Sequence, residues 1–335
     1  VVSLYEGVYG SEASSDFELW ASVNGGTTWS KVGSGTASAP SLTKVSFGMN
    51  YYGNVRFQVR KIGGGQLNID DINILSNSST ATRDNNLSMG NISSAITSTA
   101  NPDNYLLERS QYTLSYNNSR GSANWVSWQL NTAWKGSIPR CDCFMPDTDL
   151  PASFFKATTT DYSGTGFDRG HLCPSDDRDL TSDDNAATFL MDNIIPQAPN
   201  LNQVPWSNLE NYCRTLIGNG YELFIMAGGY GNGGTGSMGG VTNTIGLGQI
   251  TVPARNWKVI VVLTVGSNDA MRVSAGTRVI AVDMPNTQTA SSQSWGSYRV
   301  SVNALQGILG YDFLSNVSPA IQNVIESTVD NGPTN

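Results

Sequence analysis

Residues 257–265, WKVIVVLTV, are apolar except for Lys258 and Thr264. A strand with one wet face alternates, whereas a nearly continuous run must be covered on both faces. This segment therefore predicts a fully buried strand in a layered domain. Residues 278–284 read as another strand, and residues 124–130, NWVSWQL, as a third. Between them, residues 203–218 carry Trp206, Leu209, Leu216 and Ile217 at helical spacing, with Glu210 and Arg214 four apart. Residues 318–326 predict a closing helix. From about Asn101 the chain thus reads as an α+β domain built on a central sheet.

The first 75 residues follow another rule. Phe17, Leu19, Ala21 and Val23 sit at spacing two, as do Val55, Phe57 and Val59, and glycine-rich turns separate the runs. No helix is predicted there. Residues 67–74, LNIDDINI, read as the last strand of an all-β sandwich with a weak jelly-roll likeness. The polar stretch 76–86 has no apolar face. We therefore divide the chain into a sandwich domain at 1–75, incomplete if strands lie upstream, a linker at 76–100 and a second domain at 101–335.

Composition narrows the function. The formal charge is −8, so binding nucleic acid by bulk basicity is disfavoured, and such a role would need a few aimed cations. Only 14% of residues are charged, against a usual ~25%, which argues against charged tails. No apolar run approaches the ~20 residues of a membrane span. Val1 in place of an initiator Met reads as a processed or trimmed start. Four cysteines, many glycines and few lysines predict a secreted, extracellular protein with disulfides.

There is one histidine, His171, in the run Asp168-Arg169-Gly170-His171. Histidine is the side chain whose ordinary pKa, about 6.5, suits proton abstraction near neutrality. An adjacent arginine suits a phosphoryl oxyanion. Asn202, at a helix start, offers a neutral oxygen to a hard cation that keeps most of its waters. Together these groups point to phosphodiester cleavage with a metal ion.

DRGH, DNAATFLMDNIIPQ, NLENYCR and YDFLSNVSP occur in that order over residues 101–331. In these blocks the chain resembles the DNA/RNA non-specific endonuclease family of the ββα-metal superfamily, above all the sugar-non-specific nucleases secreted by cyanobacteria, which are bacteria. The resemblance implies a nuclease domain with a central antiparallel sheet that hydrolyses DNA and RNA without sequence preference, leaving 5′-phosphates. It implies Mg²⁺ as cofactor, with Mn²⁺ or another divalent cation able to substitute. His171 matches the general base and Asn202 the single direct metal ligand. Glu210 matches the carboxylate that holds the cation's hydration water. Arg169 and Arg140 match the arginines at the phosphate and the transition state, and Asn193 the asparagine that supports the site. Asp168 matches a residue that orients the loop.

Each has a bland counterpart. Asn202 could be a helix cap, Glu210 and Arg214 a solvated ion pair, and Arg178 loop scaffolding. The whole chain could be a non-enzymatic surface protein, with an inert nuclease-like domain and a sandwich that binds a glycan or the cell surface. The glycine-rich run 228–240 lacks the GK[ST] of a phosphate loop and reads as a flexible turn. Among Cys141, Cys143, Cys173 and Cys213 the spacing fits no zinc pattern well, so two disulfides are expected. A bridge across the C-x-C pair would be strained, which favours bridges from it to Cys173 and Cys213.

Overall fold

The computed structural model describes residues 2–49, 55–74 and 80–334. Two compact units divide at Ser79/Thr80. Residues 76–79 of the expected linker lie outside the described residues.

The first unit is all β. Its strands are β1 (Val2–Val8), β2 (Ser15–Ser22), β3 (Ser30–Ala37), β4 (Thr43–Phe47), β5 (Arg56–Gly64) and β6 (Leu67–Ile74). They form two three-stranded sheets, ordered β4-β1-β6 and β3-β2-β5, with antiparallel pairing throughout. Val2 and Leu4 of one sheet and Phe17 and Leu19 of the other share one core, which makes the unit a sandwich. The period-two reading holds for Phe17, Leu19 and Ala21 but stops there. Val23 is 56% exposed, because β2 ends at Ser22 and the chain turns through Asn24-Gly25-Gly26.

The second unit is organised by a seven-stranded antiparallel sheet. Its strands are β7 (Tyr105–Glu108), β8 (Thr113–Asn117), β9 (Ser122–Leu130), β12 (Tyr221–Tyr230), β15 (Arg255–Thr264), β16 (Arg278–Pro285) and β17 (Arg299–Val300). The spatial order is β17-β16-β15-β12-β9-β8-β7. Two small hairpins lie outside it: β10 (Asp168–His171) with β11 (Ile194–Gln197), and β13 (Thr244–Ile245) with β14 (Ile250–Thr251). The long apolar run falls in β15 and serves both faces. Ile260 and Val262 join one core with Leu209 and Leu216 of the helix Ser207–Gly218. Trp257, Val259 and Val261 join the other with Val302 and Leu305 of the helix Val302–Leu309. Each such burial stabilises the fold by about 1.5–3 kcal/mol.

Two expectations are corrected. Residues 80–100 are no linker but part of this unit. The Thr82 carbonyl accepts from Gln129 and Asn131, and Asn86 is wired to Arg109, Ser110 and Gln129. Met89, Ile92 and Ala95 sit in the second core. Polar side chains here are buried by hydrogen bonding, so the segment shows no apolar period. The glycine run 228–240 is likewise no uniform turn, since Gly228 and Gly229 lie within β12, where Trp257 and Pro253 leave no room for a Cβ.

No helix among the described residues is long and apolar enough to cross a membrane.

Candidate active site

The sole histidine is presented by the β10–β11 hairpin, where Gly170 pairs with Ile195 and His171 with Ile194. Strand alternation puts Arg169 and His171 on one side. Gly170 must be glycine, because a Cβ there would lie 2.0 Å from Gln197 Oε1. Asn193 closes the hairpin from behind. Its amide donates to the Cys173 and Thr188 carbonyls and accepts from the Cys173 N–H, and the residue is fully buried. Asn193 thus braces the loop rather than facing the cleft.

The chain after β11 becomes helical at once. Pro199–Leu201 is followed by a π-helical turn, Asn202–Trp206, and then the helix Ser207–Gly218. Pro205 has no N–H to give the preceding turn, and the wider turn accommodates it. Asn202 stands at its first position. Its Nδ2 donates to Asp168 at 2.9 Å, and Gln203 donates to the same carboxylate oxygen at 2.8 Å. This helical turn is therefore pinned to β10, and the Asn202 Oδ1 has no hydrogen-bond donor among the described residues.

A cleft of about 560 Å³ opens here, with Arg140, Phe144, Asp168, Arg169 and Asn202 on its wall. His171 is not on that wall: it is 8% exposed and packs against it through Phe144, its ring 5.4 Å from that of Phe144 and 4.9 Å from that of Phe189. Its buried Nε2 has no hydrogen-bond partner among the described residues. Burial first, then the charges of Arg140 and Arg169, push its pKa down to about 3. The imidazole is therefore neutral and able to accept a proton. Arg140 donates to Asp142 at 2.6 Å and Ser175 at 3.0 Å, with its Cζ 4.8 Å from the Phe189 ring centre. The Arg169 Cζ lies 4.1 Å from the centre of the Phe144 ring.

Glu210 is not on the cleft wall. Its carboxylate faces Lys258 at 3.4 Å, and Lys258 is buried over the Trp206 ring. Burial raises the Glu210 carboxyl, and Lys258 opposes that shift. The surface pair with Arg214 does not form, since Arg214 binds Asp176 at 2.8 Å and Asp177 at 2.9 Å. Arg178 is fully buried and donates to the carbonyls of Gln111, Asp177 and Gln129, as scaffolding does. Sequence reasoning missed Phe144, Phe189 and Lys258. Lys258 was visible as the one cation inside an apolar strand, which signals a buried partner.

The cysteine pairing is a correction. Cys141 and Cys143 are bonded to each other, while Cys173 and Cys213 are free and buried. Asp142 between them takes a left-handed backbone, φ 51°, which brings the flanking Cα atoms to 5.1 Å, within disulfide reach. Burial pushes both free thiols up to about 12, so they are poor nucleophiles. Thiol titration should find none reactive in the native protein, two after unfolding without reductant and four with it. Four protected cysteines in the unfolded, unreduced chain would contradict this pairing.

The donor set in the cleft fits a divalent cation. The open Asn202 Oδ1 and the nearby Asp168 carboxylate are hard oxygens, with few enough protein ligands to leave room for water and substrate. A second oxygen cluster, Asp84, Glu222 and Asp269, lies off the cleft wall and already holds the guanidinium of Arg272, at 2.5 Å from Glu222 and 2.7 Å from Asp269.

A hairpin bearing a neutral histidine, followed by a helical stretch with an asparagine one turn in, is the architecture of a ββα nuclease. The chain belongs to the DNA/RNA non-specific endonuclease family, whose model matches residues 90–320. It is 50% identical over 245 residues to a nuclease of Nostoc sp., covering 73% of this chain and 86% of that one. It is 28% identical over 216 residues to human mitochondrial endonuclease G, covering 63% and 70%. Against the mitochondrial EXOG nuclease of Xenopus laevis it is 29% identical over 207 residues and spans 56% of that protein's length. The crystal structure of an EndoG/EndoGI complex, on the mechanism of EndoG inhibition, shares the fold, with a TM-score of 0.57 at 21% identity over 72% of this chain and 95% of the other. The chain is accordingly a nuclease, a hydrolase acting on DNA and RNA, and the inert reading falls.

Proposed function

We propose that the protein is a secreted, Mg²⁺-dependent endonuclease that cuts DNA and RNA to 5′-phosphorylated oligonucleotides in the Arg140–Arg169 cleft. The observation that carries this reading is the unpartnered Nε2 of a neutral His171 whose ring packs on Phe144, in the wall of the cleft that Arg140 and Arg169 line. Arg169 and Arg140 bind the non-bridging oxygens of one phosphodiester. The bound phosphate offsets their charge, so the basicity of His171 rises when substrate arrives. His171 takes a proton from the water as its oxygen bonds to phosphorus, the P–O3′ bond opposite breaks, and solvent protonates the departing O3′ to the 3′-hydroxyl. Asn202, with Asp168 beside it, would hold the cation, which when bound neutralises charge on the phosphoryl group and the departing oxygen. Glu210, paired with Lys258, stands on the helix that continues from Asn202 and is the carboxylate to hold the cation's hydration water. The exposed Cys141–Cys143 bond fits an oxidising, extracellular location. End-labelled DNA and RNA oligonucleotides digested in Mg²⁺ or Mn²⁺ test the reading. Products with 5′-phosphate and 3′-hydroxyl ends support it, and 3′-phosphate ends overturn it.

The N-terminal sandwich carries none of the proposed site residues. A glycan or cell-surface ligand for it rests on its sandwich form alone. A chain beginning at Thr80 keeps the Thr82 and Asn86 contacts that tie this edge into the nuclease unit. It is expected to melt cooperatively and to cleave a short oligonucleotide with kcat within about twofold of the full chain, since proximity and charge at the cleft are unchanged. A cooperative fold with most turnover lost would show that the sandwich contributes to the site.

A further inference from the structure

Arg169 is exposed on the cleft wall, and no hydrogen bond or ion pair engages its guanidinium among the described residues. Among the described residues its guanidinium lies over one ring, the face of Phe144, 4.1 Å from Cζ to the ring centre. We propose that Phe144 is a positioning residue, an aromatic platform that sets Arg169 for the phosphate while leaving all its N–H donors open. The proposal deepens the reading above and rests on the phosphate-binding role given there to Arg169.

The physical case is a comparison of two ways to hold a guanidinium. A carboxylate would fix it, but would occupy its donors and cancel the charge that the phosphate needs. Arg140 shows that arrangement in part, with Asp142 on Nε. A ring face attracts the cation through its quadrupole and accepts none of the in-plane N–H groups. Arg169 therefore remains a fork with every tine directed at solvent or substrate.

A platform must itself be rigid, and Phe144 is anchored on three sides. Its ring meets Phe189 edge-on at 4.9 Å and 84°. The following residue is locked by two backbone bonds, Met145 N–H to the Phe189 carbonyl at 3.2 Å and Met191 N–H to the Met145 carbonyl at 3.0 Å. The preceding residue, Cys143, is tied to Cys141. The same ring lies 5.4 Å from that of His171, so the platform couples the position of the phosphate-binding arginine to that of the base. Phe189 serves Arg140 in the same manner, at 4.8 Å.

The test is steady-state cleavage of a short DNA duplex by the full chain carrying Phe144→Leu, Phe144→Met, Phe144→Tyr or Arg169→Ala, and by the Phe144→Leu, Arg169→Ala double variant. Leu and Met remove the π face, and each is expected to lower kcat/KM about tenfold, the scale of a partly desolvated cation–π contact. Tyr keeps the face and should stay within about twofold. The double variant should be no slower than Arg169→Ala alone, because without the guanidinium the platform has nothing to hold. Wild-type rates for Leu and Met, or losses that multiply in the double variant, overturn the proposal. Should both aliphatic variants fail to melt cooperatively, 3,4,5-trifluorophenylalanine at 144 keeps the ring's shape while weakening its face. It should give a comparable loss, and an unchanged rate overturns the proposal. If Arg169→Ala alone cleaves like wild type, the phosphate role of Arg169 fails and takes the proposal with it, an outcome distinct from failure at Phe144.

Discussion

His171→Ala should lower kcat on DNA and RNA by about 10²–10⁴-fold, the usual worth of a general base. No other histidine exists to take its place, and Nε2 has no competing partner in the fold. The loss should fall on kcat more than KM, because the arginines that bind the phosphate remain. The substituted protein should still melt cooperatively, although the cavity left beside Phe144 and Phe189 will lower its Tm. The pH profile supplies a second readout. With its pKa pushed down to about 3 by burial and by two arginines, His171 is neutral in the free enzyme at any ordinary pH. The sign follows directly. Acid inactivates by protonating the base, so a lowered pKa moves the acid limb of kcat/KM well below 6.5. A His171→Ala variant retaining more than about a tenth of the rate would contradict the assignment, and a wild-type limb near 6.5 would contradict the lowered pKa.

Asn202→Ala is the second large effect. It removes the oxygen proposed to hold the cation and the amide that donates to Asp168, so this helical turn also loses half its tie to β10. At fixed, sub-millimolar Mg²⁺ the rate should drop by about 10²-fold or more, with part of the loss recovered as Mg²⁺ is raised, since affinity rather than the reacting groups is damaged. Asn202→Asp should retain more activity than Asn202→Ala, because one carboxylate oxygen can replace Oδ1. A metal titration of Asn202→Ala that overlays wild type would place the cation elsewhere.

The sequence singled out these two residues, one as the sole histidine in 335 residues and the other as an asparagine at an expected helix start in a block that resembles the nuclease family. The central sheet was legible from β15, whose apolar run had to serve two cores. Other features depend on contacts that spacing does not encode. Residues 80–100 looked like a linker because their burial runs through asparagine and threonine hydrogen bonds. Glu210 and Arg214 stand at ion-pair spacing, yet each finds its partner elsewhere, at Lys258 and at Asp176 and Asp177. The Cys141–Cys143 bond turned on one left-handed residue, Asp142. Phe144 and Phe189 lie in loops without period, and their meaning emerges only when two arginines and an imidazole are seen to rest on them.

The account stands or falls on whether this cleft hydrolyses phosphodiesters with a cation and His171. The direct measurement is nicking of supercoiled plasmid DNA by the wild type and by His171→Ala, each with Mg²⁺ and with excess EDTA. The account predicts rapid nicking, then linear and smaller products, for the wild type in Mg²⁺ alone, and near-background conversion in the other three reactions. Wild-type nicking that persists in EDTA, or nicking by His171→Ala at a wild-type rate in Mg²⁺, would contradict it.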